Sequence, residues 1–517
     1  MASQHGPTQI YPGKGLGFLT LGASLHNILT RLKAQPQSYP SIDLSYSSDE
    51  PVLHPVILDL ASSGIRLQFD GPDQRLRLVE VLDFSKASLT YKGTELLRRS
   101  KSTSDGLNEQ DLKQKGPAFR HVYNRLFGPS YPGEYIPPTS RSVSDRGTYV
   151  LSYPGVAFCF PLLHSSWSER ADFVSLLSST ASLPAISMAI FQGSSWSEAR
   201  ATLFTKQPQF PRSIALTGRD KDLAPDEVEE ARIYGQGQIE FVRRFMPSFW
   251  VHLSETTPQD LIAEFGPPDA IYRKNDNRIS IHGNDVEHRI PGLESTSPVG
   301  RATSVDTDHS STQSYSEGSD REQPSNSADK DLVNPECFFN YFHHGFDAFV
   351  SFPTSKSPPF PGTEARHGTP LLGPELRVTK ILFHANVPGS YPFNRHRRSR
   401  WSIQTGPTGV GVELLSSEMP FEDVSAVLKR MWHGSYRTED EERSMQRGMV
   451  LNRGWGESPE SSVELLGGWE DNASPHGTGG LESSDGVQSL GNTELFGFPG
   501  LLFEVVKNGT VSCLTVY

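Results

Sequence analysis

Four segments of this chain open on a glycine and then alternate apolar with other residues: GIRLQF (64–69), GVAFCF (155–160), GFDAFVSF (345–352) and GLLFEV (500–505). Alternation of period two is the pattern of a strand with one buried face, and the leading glycine suits the turn that feeds it. Further apolar runs flank these segments. HPVILDL (54–60) and RLRLVEVLDF (75–84) enclose the first, TYVLSYP (148–154) and PAISMAIFQ (184–192) the second, and CFFNYF (337–342) and LRVTKILFHAN (376–386) the third. The fourth lies between LFGFP and TVSCLTVY, with Asn508-Gly509 as the hairpin turn. Around Gly345 the spacing puts Phe338, Tyr341, Phe342, Phe346, Phe349 and Phe352, then Val378, Ile381 and Phe383, on buried faces.

An amphipathic helix precedes each meander. Leu25, Ile28, Leu29 and Leu32 follow Ser24, a good N-cap; Phe119, Val122, Tyr123, Leu126 and Phe127 end at Gly128-Pro129. Thr257 caps a helix with Pro258 at its first position and Leu261, Ile262 and Phe265 inside, stopped by Gly266-Pro267-Pro268. Phe421, Val424, Val427, Leu428 and Met431 form the last apolar face. The expected class is α+β, built from repeated helix-plus-antiparallel-three-strand modules packed together, with long disordered insertions. The modules cover 16–96, 112–204, 236–394 and 395–517, with insertions at about 284–334 and 436–492, where Ser, Gly, Asp and Glu replace aliphatics. A single such module buries little apolar area, so neighbours should pack on one another.

Charge and cysteine usage narrow the function. Lys and Arg number 48 against 60 Asp and Glu, and a net charge of −12 argues against general nucleic-acid binding. The three cysteines, Cys159, Cys337 and Cys513, fall in expected strands without metal-type spacing, and an odd number makes a poor disulfide framework, which fits a reducing cytosol. The N-terminus lacks the apolar core of a signal peptide, and no run of eighteen apolar residues occurs that could span a membrane.

No motif reads as an active site or cofactor site. Gly13-Lys14-Gly15-Leu16-Gly17 follows no strand and lacks the Lys-Ser/Thr ending of a nucleotide-binding loop. His343-His344 would need two more convergent ligands to hold a metal and reads as turn or surface histidines. No Gly-x-Ser-x-Gly elbow is present, and the carboxylates are scattered. The densest positive run is NRHRRSRW (394–401). It places Arg395, Arg397, Arg398 and Arg400 beside Tyr391, Phe393 and Trp401, an arrangement suited to an acidic partner loop or a phosphoinositide headgroup. The same arginines could instead pair with the protein's own carboxylates.

Taken together, FFNYFHHGFDAFVSF, KILFHANVPGSYPFN, FMPSFWVHLSETTPQDLIAEFGPPDAIYRK and the closing LLFEVVKNGTVSCLTVY resemble the phagophore assembly factor family. LTLGASLHNILTRL and GIRLQFDGPDQRLRLVEVLDF fit its N-terminal region. The polar segments 284–334 and 436–492 and the bulk of 163–183 look like insertions relative to it. The resemblance implies a cytoplasmic, non-enzymatic adaptor without catalytic residues, cofactor or metal. Such an adaptor would bind a WD-repeat β-propeller protein that reads phosphoinositides, and would reach the preautophagosomal structure through it. The alternatives are a Golgi or vesicle-trafficking adaptor and, requiring an apolar pocket between modules, a lipid-binding module or unrecognised hydrolase.

Overall fold

The computed structural model describes residues 8–97, 116–139, 145–208, 226–273, 335–353, 375–404, 414–433, 436, 438–451 and 492–517. The expected insertion at 284–334, and most of that at 436–492, lie outside them. Within 438–451 the structure corrects the expectation, because a helix, Glu439–Met445, and a strand, Met449–Leu451, form there. Thr438 caps that helix by accepting a hydrogen bond from Glu441 N, and four acidic residues occupy its first turn, where the helix dipole favours them.

All four meanders are present, and each has a fourth, short strand at its outer edge. The first meander runs Asp43–Ser45, Val56–Leu60, Ile65–Phe69 and Leu76–Val81; the second Glu134–Ile136, Arg146–Tyr153, Val156–Leu163 and Ser187–Ile190. The third runs Ala270–Arg273, Cys337–Tyr341, Phe346–Ser351 and Arg377–His384; the fourth Met449–Leu451, Thr493–Phe498, Leu501–Val506 and Val511–Val516. They join in pairs through their last strands. Val79 and Val81 pair with Ile190 and Met188, and Ile381 and Phe383 with Val516 and Leu514, so each half of the chain carries one eight-stranded sheet.

A second layer, not foreseen from the alternation, closes each half. Strand Thr8–Tyr11 pairs in parallel with Leu89–Tyr91, and Val228–Ile233 pairs in parallel with Trp401–Gln404, each at the centre of a five-stranded sheet. Apolar residues of the two layers and of the helices between them form one core per half. Ile10, Leu29, Leu67, Phe158 and Val122 belong to the first core; Phe241, Leu261, Phe346, Phe383, Trp401 and Leu428 belong to the second. The expected helices all form, as Leu25–Lys33, Phe119–His121 prolonged by a π-helical turn over Val122–Leu126, Pro258–Phe265 and Phe421–Trp432. Thr257 and Asp260 make the reciprocal capping box at the third of these.

In the third meander the buried face differs in part from the expected one. Phe339, Tyr341, Phe346, Ala348 and Val350 point into the core, whereas Phe338 and Phe349 pack against each other on the opposite face, ring centroids 4.6 Å apart and planes tilted by 37°. The reason is the strict alternation of a strand. Phe346 and Phe349 are three residues apart and cannot share a face.

Candidate functional site

The arginine run lies in the segment 386–400, which leaves strand Arg377–His384, crosses to the first half and returns as strand Trp401–Gln404. Asn386 and Asn394 adopt left-handed backbone conformations (φ 48° and 63°), which asparagine tolerates better than most residues. Asn386 Nδ2 donates to Gln74 Oε1 (2.8 Å), Gln74 Nε2 donates back to Asn386 O (2.9 Å), and His26 Nδ1–H donates to Asn394 O (3.0 Å). These bonds fix the segment to the first half.

Its arginines do not share one environment. Arg395 is exposed; Tyr391, Phe393 and Arg400 are half-buried; Arg397 and Arg398 are buried. Arg398 donates to the carbonyls of Pro72 (2.6 Å), Ala385 (2.9 Å) and Ser417 (3.4 Å) and lies 3.5 Å from Glu418. Arg400 bridges Glu418 (2.8 Å) and Asp73 (2.9 Å), one from each half. Arg397 donates to Val228 O and sits with Arg75 and Arg244 around a single carboxylate oxygen of Glu227, at 3.3, 2.7 and 3.0 Å. Burial alone would raise the Glu227 carboxyl, but Arg75, Arg397 and Arg244 outweigh it and hold the group down at about 2. Three of the four arginines thus engage the protein's own carboxylates at the seam, and one of these pairs, Arg400 with Asp73, joins the two halves.

Beside the seam a second polar cluster forms on the outward face of the second eight-stranded sheet. His384 Nε2–H donates to Asp347 Oδ2 (2.9 Å), and His396 Nε2–H donates to Asp347 Oδ1 (2.8 Å), so one carboxylate bridges two imidazoles. The rings stack with centroids 3.8 Å apart and planes only 14° from parallel. Three donor atoms within 4.8 Å could suggest a metal. An imidazole, however, binds an ion in its own ring plane, and two nearly parallel, stacked planes share no such point. The geometry fits a hydrogen-bonded pair instead.

The charges on this cluster divide unequally. Burial, the largest influence on His384, lowers it, but the Cys513 sulfur and the Asp347 carboxylate outweigh burial and raise it to about 10. Burial and the neighbouring His384 imidazolium lower His396 to about 4. Asp347 is held far below the usual carboxylate range: burial opposes this, and hydrogen bonds from both histidines overcome it.

The adjacent His343-His344 pair corrects the sequence reading in one member. His343 Nδ1–H donates to Asp269 (2.6 Å), whereas His344 is fully buried among Phe265, Tyr341 and Phe346, with no hydrogen-bond partner on either ring nitrogen. Burial, then His343 and Arg397, lower it to about 3. Gly345 follows at φ 86°, and a Cβ there would meet the Arg397 carbonyl oxygen and come within 3.1 Å of Ser399 Cβ. Gly345→Ala should therefore cost about 2 kcal/mol or more in urea unfolding, by left-handed strain and by pushing the 386–400 segment off the sheet.

Comparison with known proteins places this architecture. The family model described as phagosome assembly factor 1 matches residues 15–297 and 319–517, nearly the whole chain. The chain belongs to the phagosome assembly factor 1 family. Similar proteins include a Caenorhabditis elegans PHAF1 protein, 24% identical over 398 residues (74% of this chain, 73% of the relative). An Arabidopsis thaliana PHAF1 protein is 21% identical over 517 residues (98% and 92%), and one from Drosophila melanogaster is 20% identical over 514 residues (96% and 90%). No solved structure matches. For a member of this family the arginine run and both ends of the seam fall inside the matched region, so the seam belongs to the family's shared chain rather than to an appendage.

Asp347, His384 and His396 were not singled out from the sequence. Their spacings of 37 and 12 residues match no motif. The available signal was an aspartate at an outward position of a strand whose neighbouring outward residue is Phe349.

Proposed function

We propose that this protein is a non-enzymatic adaptor in phagosome assembly, which binds a WD-repeat β-propeller protein and reaches its membrane through that partner. The observation that carries the reading is the family match over nearly the full chain, with relatives named as PHAF1 proteins over comparable lengths. The form of the molecule supports it. Two layered halves offer broad sheet faces; the cleft lined by Leu21, Arg77, Leu203 and Lys206 holds about 140 Å³, and the larger one of about 530 Å³, lined by Ile136, Pro138, Arg146 and Thr148, is a shallow depression open to solvent. No helix among the described residues is long and apolar enough to cross a membrane, which supports recruitment through a partner.

Within the arginine run, partner contact falls to exposed Arg395 with the outer parts of Tyr391 and Phe393, since Arg397 and Arg398 are committed inside. The test is a titration of the purified full chain against a WD-repeat β-propeller protein, with vesicles carrying phosphoinositides added in a second step. A saturable complex is expected, with vesicle recruitment only when the propeller is present. Arg395→Ala should weaken the complex about tenfold while changing stability by less than about 0.5 kcal/mol. No complex with the wild-type chain would overturn the adaptor reading, and unchanged affinity in the variant would remove only the Arg395 contact.

A further inference from the structure

The strand orders of the two halves correspond, and the match extends to single residues of the eight-stranded sheets. Ile190 pairs with Val79 as Val516 pairs with Ile381, and Ala189 pairs with Ala157 as Thr515 pairs with Leu502. A β-bulge falls at the same step, after Gln68 in the first sheet and after Phe349 in the second. The amide that follows each last strand, Phe191 N or Tyr517 N, donates to the carbonyl of a hairpin glycine, Gly155 (3.2 Å) or Gly500 (3.0 Å). By this register Tyr517 stands where Phe191 does, Leu502 where Ala157 does, Leu495 where Val150 does and Lys380 where Leu78 does.

The outward faces at these positions differ. In the first half the chain beyond Phe191 turns back as the helix Trp196–Ala201, capped by Ser195. Trp196 N donates to Ser152 Oγ (3.2 Å), and its ring lies 5.1 Å from that of Phe191. Ala199 and Leu203 complete a buried cluster with Leu78, Val150 and Ala157, and Phe191 is fully covered. In the second half Tyr517 is 52% exposed and Lys380 is exposed, while Phe338, Phe349, Leu495 and Leu502 are half-buried. No corresponding buried cluster forms there among the described residues. Lys380 Nζ lies 6.0 Å from the ring centroids of both Phe349 and Tyr517, with no carboxylate of the described residues at ion-pair distance.

We propose that this face, Lys380 with Phe338, Phe349, Leu495, Leu502 and Tyr517, is the docking surface for a short amphipathic helix of another protein, one that carries an aromatic residue, an aliphatic residue and a carboxylate. The half that is already closed shows the apolar part of the occupant. Its face takes a tryptophan, a small residue and a leucine, spaced as on one side of a helix. Charge supplies the rest. Lys380 replaces a leucine, and a wholly apolar helix laid over it would bury an unpaired ammonium group. A carboxylate on the helix pairs with that ammonium, while the two aromatic rings already hold it in place. The surface includes none of the arginine run, and the inference does not rest on the propeller reading.

The test titrates the full chain into two fluorescein-labelled peptides and reads anisotropy. One peptide is residues 194–208 as they stand; the other is the same peptide with Lys206→Glu. Lys206 lines one cleft with Ala199 and Leu203, so the substitution places a carboxylate on the side that docks. The glutamate peptide should bind saturably, with a Kd of about 100 μM or tighter, and the lysine peptide at least about tenfold more weakly. Lys380→Glu in the full chain should reverse that preference, and Tyr517→Ser should weaken the glutamate peptide about tenfold; both positions are exposed, and both variants should unfold in urea as wild type does. The proposal is overturned if the glutamate peptide does not bind or if Lys380→Glu leaves the preference unchanged. It is overturned equally if the peptide-free chain forms a dimer that Tyr517→Ser abolishes, which assigns the face to a second copy, or if binding appears only once residues 354–374 are deleted, which assigns it to that segment.

Discussion

Arg398→Ala should lower the unfolding free energy by about 3–5 kcal/mol, the range expected when one partner of a buried charge pair is removed. The side chain is fully buried and serves carbonyls from both halves, those of Pro72, Ala385 and Ser417, besides lying near Glu418. Alanine leaves these acceptors without their donor in a place water does not reach, and each such group costs about 1–3 kcal/mol. Arg395, three residues earlier and exposed, provides the control, since its truncation should be close to neutral. Urea unfolding of the two variants checks the contrast. Equal, small losses would mean that the seam does not hold the halves together. A variant with all four arginines changed at once would unfold the seam, and its failure to bind a partner would carry no information about contact.

The arginine run shows where sequence reasoning reaches its limit. Arg397, Arg398 and Arg400 are close together in the chain, whereas their carboxylates, Asp73, Glu227 and Glu418, are spread over more than three hundred residues. Nothing local distinguishes a cluster of cations that meets a partner from one that meets its own chain. The meanders lie at the other extreme. Val56, Leu58 and Leu60, or Leu514 and Val516 after the Asn508-Gly509 turn, carry their structure in adjacent residues, and their strands form where the alternation places them. The edge strands Asp43–Ser45 and Met449–Leu451 escaped notice because three residues are too few to show a period. The parallel pairing of Ala231 with Trp401 joins residues far apart in the chain and leaves no trace in either segment alone.

Acid should destabilise this protein well before its carboxylates titrate. His344 and His396 are neutral in the fold, with pKa values of about 3 and about 4, and return to about 6.5 on unfolding. The sign follows directly: below pH 6.5 the unfolded chain binds protons that the folded chain refuses, so stability falls with pH, by about 1.4 kcal/mol per unit for each histidine. At pH 4.5 the two together should have removed about 5 kcal/mol, a large share of the stability of an ordinary domain. His384 acts on the other flank. Its folded pKa of about 10 lies above the unfolded value, so its contribution is complete below pH 6.5 and is lost as pH rises toward 10. Stability should therefore peak near pH 6.5. His344→Leu separates the contributions, because the ring forms no hydrogen bond and lies among Phe265, Tyr341 and Phe346, where an apolar side chain of similar volume is accommodated. The variant should be at least as stable as wild type at pH 7, and its acid limb should be half as steep, one proton instead of two. An unchanged slope would show that His344 is charged in the folded protein, which requires an acceptor for its ring protons inside that aromatic cage.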